Sequence, residues 1–152
     1  MRLVIAAGGK AKSGPEGDLT RFYLDRIRPL GRRFGVSDAT LVEIDERKAG
    51  DPQSWTAHLP PGALAVALDE RGEDLPSAAF AVRLKAWTES APSALVFLIG
   101  AADGLPPSIR ERAAARLAFG RATWPHLLVR VLLTEQIYRA LTILAGHPYH
   151  RP

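Results

Sequence analysis

Leu95-Val96-Phe97-Leu98-Ile99 runs without a polar residue and stops at Gly100-Ala101-Ala102-Asp103-Gly104. A strand with one wet face alternates in polarity, whereas a strand covered on both faces is apolar throughout, as in a parallel sheet flanked by helices. Outward from this run the same theme recurs. Leu64–Leu68 reads as another apolar strand, closed by Asp69-Glu70-Arg71-Gly72. Arg2–Ala7 ends at Gly8-Gly9, and Ala39–Ile44 is a further short strand. Helical spacing separates them. Asp18 reads as the N-cap of a helix whose stripe is Leu19, Phe22, Tyr23, Ile27 and Leu30. A second helix is predicted over Pro76–Glu89 and a third over about Pro107–Ala115. Asp45–Pro61 is polar and rich in breakers, with at most a short helix around Pro52–His58, and Leu117–Thr123 reads as irregular.

Alternating strands and helices predict an α/β domain with a mostly parallel sheet and helices on both faces. The 152 residues suit one domain spanning 1–152. In such sheets ligands bind at the carboxyl ends of the strands. Three strands here end in small or turn-forming residues: Gly8-Gly9, Asp69–Gly72 and Gly100-Ala101.

An apolar fraction of 47% supports a packed core rather than a disordered chain. The absence of cysteine removes disulfides and thiolate metal sites, and the four histidines lack zinc-ligand spacing, so no metal is expected. No run approaches the ~20 apolar residues of a membrane span. A soluble, cytoplasmic protein is therefore the expectation. The net charge of +4 is modest but unevenly spread. Leu105–Pro152 holds seven arginines (Arg110, Arg112, Arg116, Arg121, Arg130, Arg139, Arg151) against Glu111 and Glu135. Such a segment suits a phosphate-bearing partner such as RNA, or forms an ordinary solvated face.

The last helix is predicted from His126 to about Ala145, with Pro125 at its start. Its apolar residues, from Leu127 and Leu128 to Ile143 and Leu144, cover nearly the whole circumference. A helix apolar all round is buried on more than one side. The sheet covers one side, which leaves the other for a second copy in a two-fold homodimer or for the core of a monomer.

Gly8-Gly9-Lys10 lacks the spacing of a phosphate loop and reads as a turn. Gly100–Gly104 allows a backbone to approach a ligand closely, such as an adenosine or a small zwitterion, and is equally a tight turn without one. His126 sits in the first turn of the last helix, as an incidental residue or a substrate contact. The tail His147-Pro148-Tyr149-His150-Arg151 could stack on a base and bond its edge, or simply fray.

Taken in order, Phe97–Leu105, Trp124–Leu132, Glu135–Ala140 and His147–His150 resemble the ribosomal RNA large subunit methyltransferase H family of the SPOUT superfamily. The likeness is close from about Leu95 to Arg151 and looser from Arg2 to Leu68. It implies a C-terminal trefoil knot, a homodimer, S-adenosylmethionine as cofactor and transfer of its methyl to N3 of a pseudouridine in 23S rRNA, on the large subunit or the whole ribosome. It also implies three cofactor-binding segments: Leu68, Gly100, and the loop Phe119, Gly120, Arg121, Ala122, Thr123 and Trp124. Tyr149 and His150 then grip the base, with Arg139 and Arg130 near base or phosphate and His126 and His147 on the substrate side. His150 is the candidate base, and Arg139 is also placed for a helix ion pair with Glu135. Two departures stand out. The family's Ile-Gly-Gly is here Ile99-Gly100-Ala101, which matters if that position needs a positive φ, and the segment 45–61 is short. A cofactor-free RNA-binding module on the same scaffold, and a methyltransferase acting on tRNA, are the alternatives.

Overall fold

The computed structural model describes residues 1–152. Five strands, β1 (Arg2–Gly8), β2 (Asp38–Ile44), β3 (Leu64–Asp74), β4 (Ala94–Ile99) and β5 (Ala115–Ala118), form one sheet in the order β2-β1-β4-β3-β5. Every pairing is parallel. The helices are α1 (Pro15–Gly31), α2 (Pro52–Thr56), α3 (Ser77–Glu89), α4 (Pro107–Arg112) and α5 (His126–Ala145).

The unbroken apolarity of β4 has the cause expected of it. Leu95, Phe97 and Ile99 join Leu3, Ile5, Leu24, Ile27, Leu84, Leu133 and Ile137 in a core between the sheet and α1, α3 and α5. Val96 and Leu98 face the other way, toward Val4, Ala6, Trp55 and Ile109 under the short helices α2 and α4. Trp55 fills much of that thinner layer. It is fully buried, and its indole N–H donates to the Ala49 carbonyl at 2.9 Å.

Four expectations need correction. Helix α1 begins at Pro15, three residues before Asp18, because Pro15 takes the first helical position and Glu16 and Asp18 lie inside the positively polarised first turn. Asp69–Gly72 does not close β3. The strand bulges there and resumes pairing at Glu73, opposite Leu117. Helix α4 stops at Arg112, and the chain enters β5 at Ala115. Four residues carry no readable period, so β5 is defined only by the edge of β3 on which it pairs.

Helix α5 lies on the sheet between α1 and α3. Its all-round apolarity thus has three walls within the chain, not the single wall inferred from sequence. Its most exposed apolar residue is near its beginning, where Leu128 is 38% exposed, four residues after Trp124 at 44%, and Val131, Leu132, Ile143 and Leu144 stay half-buried. Gly146, at φ 69°, ends the helix and turns the tail back along it. No helix is long and apolar enough to cross a membrane.

Candidate active site

The bulge of β3 and the carboxyl ends of β4 and β5 surround a cleft of about 350 Å³. Leu68–Arg71 form one wall, Ile99–Leu105 the second, and Leu117–Gly120 with Ala122–Trp124 the third. His126 and Val129 of α5 close the back. All the expected cofactor residues except Arg121 line this space; Arg121 is exposed outside it.

Gly100 is obligatory for a steric reason. A Cβ there would stand 2.5 Å from the Gly104 carbonyl carbon and 2.6 Å from the Leu105 nitrogen. The loop folds back so tightly because the Gly104 N–H donates to the Ala101 carbonyl at 2.8 Å. Ala101 is not among the residues with positive φ, so the methyl that replaces the family's glycine imposes no backbone strain. On the third wall, the Trp124 indole N–H donates to the Phe119 carbonyl at 2.9 Å and the Thr123 hydroxyl to Glu70 at 3.3 Å, which ties the loop to β3.

Asp69 sits at the bulge with its side chain only 8% exposed. It accepts from the Arg71 backbone N–H at 3.0 Å and its Nε at 3.3 Å, with Arg110 Nε 3.9 Å away. Burial works to raise its pKa, but the Arg71 bonds and the two guanidinium charges outweigh that and hold it below the ordinary carboxylate value. Asp69 is therefore held as a carboxylate between two arginines of the same cleft. Sequence reading passed over Asp69, having taken residues 69–72 as the end of the strand.

His126 and Arg130, both expected on the substrate, pack beside the Gly8-Gly9 turn. His126 belongs to the cleft wall, with its ring against Gly9; a Cβ on Gly9 would meet His126 Cε1 at 3.1 Å. Arg130 is 1% exposed and cannot reach RNA. Its Nη1 donates to Glu43 at 2.6 Å and its Nη2 to the carbonyls of Gly8 at 3.1 Å and Gly9 at 2.7 Å.

The family model described as "Predicted SPOUT methyltransferase" matches residues 1–150. Ribosomal RNA large subunit methyltransferase H of Xanthobacter autotrophicus is 50% identical, over 99% of both chains. The protein of the same name from Paramagnetospirillum magneticum is 51% identical over 100% of each. The chain belongs to the SPOUT methyltransferase family. A crystal structure of a probable methyltransferase from Bordetella pertussis Tohama I shares the fold, with a TM-score of 0.51, 15% identity and coverage of 92% and 93% of the two chains.

SPOUT methyltransferases draw their methyl group from S-adenosylmethionine, and the donor set of the cleft fits that molecule. Apolar walls (Leu68, Ile99, Leu117, Phe119) suit a purine. The glycine turn at Gly100 admits close backbone approach. The Asp69 carboxylate and the rim acids Glu70 and Asp103 suit a diol or a cationic centre.

The tail, turned back along α5, forms a second cluster against the middle of the helix. Glu135 is its hub. Its Oε1 accepts from Arg139 Nε at 3.0 Å, from Arg139 Nη2 at 2.7 Å and from the Tyr149 hydroxyl at 3.0 Å. Arg139 Nη1 lies 3.2 Å from His150 Nδ1. A guanidinium only donates, so Nδ1 is the acceptor and a neutral His150 carries its proton on Nε2. Tyr149 packs edge-on to Tyr138, and burial together with Glu135 pushes its hydroxyl well above the ordinary phenol pKa. His147 stays exposed and only caps the turn, accepting from the Tyr149 N–H at 3.2 Å. The i,i+4 spacing of Glu135 and Arg139 was the one sequence signal for this hub.

Proposed function

We propose that this SPOUT methyltransferase transfers the methyl of S-adenosylmethionine to N3 of a pseudouridine in a 23S rRNA hairpin, on the large subunit or whole ribosome in the cytoplasm. The observation that carries the reading is the convergence of Leu68, Gly100 and the Phe119–Trp124 loop on one cleft. The names borne by full-length relatives near 50% identity support the rRNA substrate.

Bound in the cleft, the cofactor supplies an electrophilic methyl on a sulfonium. The chain's part is to orient that methyl, exclude water and hold the base in line with it. His150, whose Nε2 proton is free, suits a carbonyl beside N3, while Tyr149, whose hydroxyl proton is held by Glu135, offers its ring and its oxygen lone pair to the base. With Nδ1 engaged by Arg139, His150 has no free lone pair, so the N3 proton passes to water unless that bond opens when RNA binds. Arg139 orients His150 directly and Tyr149 through Glu135.

The cleft lies at the first turn of α5 and the tail cluster against its middle, and the reading includes a homodimer in which the tail of one copy serves the cleft of the other. It also includes the trefoil knot of the family. The test is to titrate the protein with S-adenosylmethionine by calorimetry and then methylate ribosomes, isolated large subunits, free rRNA and tRNA, mapping the product by mass spectrometry. Binding plus methylation of one 23S pseudouridine is expected. A folded protein that binds no cofactor, or that modifies only tRNA, overturns the reading.

A further inference from the structure

We infer that the Arg130–Glu43 ion pair is a positioning device for the cleft, holding the Gly8-Gly9 turn against which both the Ala101 loop and His126 rest. The inference builds on the cofactor reading above.

Beyond each other, the two residues bind three points of the chain at once. Arg130 donates to Glu43 on β2 and to the carbonyls of Gly8 and Gly9, where β1 ends. The same Glu43 oxygen accepts the Ala11 N–H at 2.6 Å, beyond the turn. The Gly9 N–H donates to the Ile44 carbonyl at 2.7 Å, so the turn is pinned from the β2 side as well. These carbonyls lie in the interior, where an apolar side chain in place of Arg130 would leave them without donors. The fork geometry of arginine serves both with one group. The guanidinium is not there to be fully satisfied itself, since its Nε is buried with no acceptor.

The turn has no slack on its cleft side. A Cβ on Gly8 would stand 2.6 Å from the Ala101 nitrogen and 2.8 Å from its Cβ, and one on Gly9 would meet the His126 ring. Ala101 and His126 both line the cleft. His126 and Arg130 lie four residues apart on α5, hence on one helix face. A shift of the turn therefore moves two cleft walls, although neither Arg130 nor Glu43 lines the cleft.

The experiment compares wild type with Glu43→Gln and Arg130→Lys. The control is Ile137→Val, which thins the buried core of α5 without touching the turn. The first readout, in cofactor-free protein, is hydrogen exchange at the amides of Ala11 and of Gly104, the residue that closes the Ala101 loop. The second is affinity for S-adenosylmethionine by calorimetry. Both turn variants are expected to exchange about tenfold faster at Gly104 and to bind the cofactor at least about fivefold more weakly. The control should leave cofactor affinity and Gly104 exchange, relative to its global stability, unchanged. If Glu43→Gln speeds exchange at Ala11 alone and binds cofactor like wild type, the pair is a local strut and the inference is overturned. Should wild type itself bind no cofactor, the cofactor reading fails, and Gly104 exchange alone decides whether the turn and the loop are coupled.

Discussion

His126 and Glu135 stand on the same helix nine residues apart, which separates the cleft wall from the hub of the tail by about 14 Å at ~1.5 Å of rise per residue. In the proposed homodimer a base held by the tail enters the cleft of the partner copy rather than that of its own chain. Mixing two variants tests the consequence. Gly100→Val, whose side chain collides with Gly104 and Leu105, and Arg139→Ala should each reduce methylation at least about 100-fold as pure dimers. Co-expressed, they should restore about a quarter of wild-type activity, because half the dimers carry one site built from two intact halves. Restoration would be absent if each chain used its own tail. Circular dichroism of each variant guards against simple misfolding.

Ala101 and Gly100 are expected to respond in opposite ways to a single methyl. Ala101→Gly removes a side chain from an unstrained position and should change cofactor affinity by less than about threefold, within the modest cost of glycine's extra freedom. Gly100→Ala forces the Gly104–Leu105 backbone aside and should weaken binding by about tenfold or more. Calorimetric titration of both variants separates the two.

Tyr149 ties the tail down as a phenol. Its folded pKa is raised, so its contribution to stability is complete below the unfolded value of about 10 and is lost as pH rises beyond it. Tyr149→Phe should cost about 1 kcal/mol at neutral pH through the lost bond to Glu135. Thermal unfolding at pH 7 and pH 11 should show the gap between wild type and variant closing at the higher pH.

Glu43 behaves with the opposite sign. Burial pushes its pKa up, but the Ala11 N–H and the Arg130 guanidinium prevail and hold it below the ordinary value. Its contribution is present above the unfolded pKa of about 4.3 and disappears as pH falls through the lower folded value. The stability difference between wild type and Glu43→Gln, followed by urea unfolding, should stay level from neutral pH down to about pH 5 and shrink below pH 4.

The sequence by itself determined the fold class and the place of the cleft. Continuous apolarity at Leu95–Ile99 required a strand covered on both faces, and that is a local property of composition and period. The small residues at Gly100 marked where backbone had to come close, and the ordered motifs from Phe97 to His150 carried the family. Glu135 could be found four residues from Arg139 because helix geometry is periodic. Only the tertiary structure decided the rest. Strand β5 exists because β3 offers it an edge, and Ala115–Ala118 has no pattern of its own to announce that. Arg130, one of seven arginines in a segment that suits RNA, is buried under Gly8 and Gly9, since its partner Glu43 arrives from a strand 87 residues away. Whether an arginine meets phosphate or a buried carbonyl depends on which distant backbone folds over it, and no periodicity within the last helix encodes that contact.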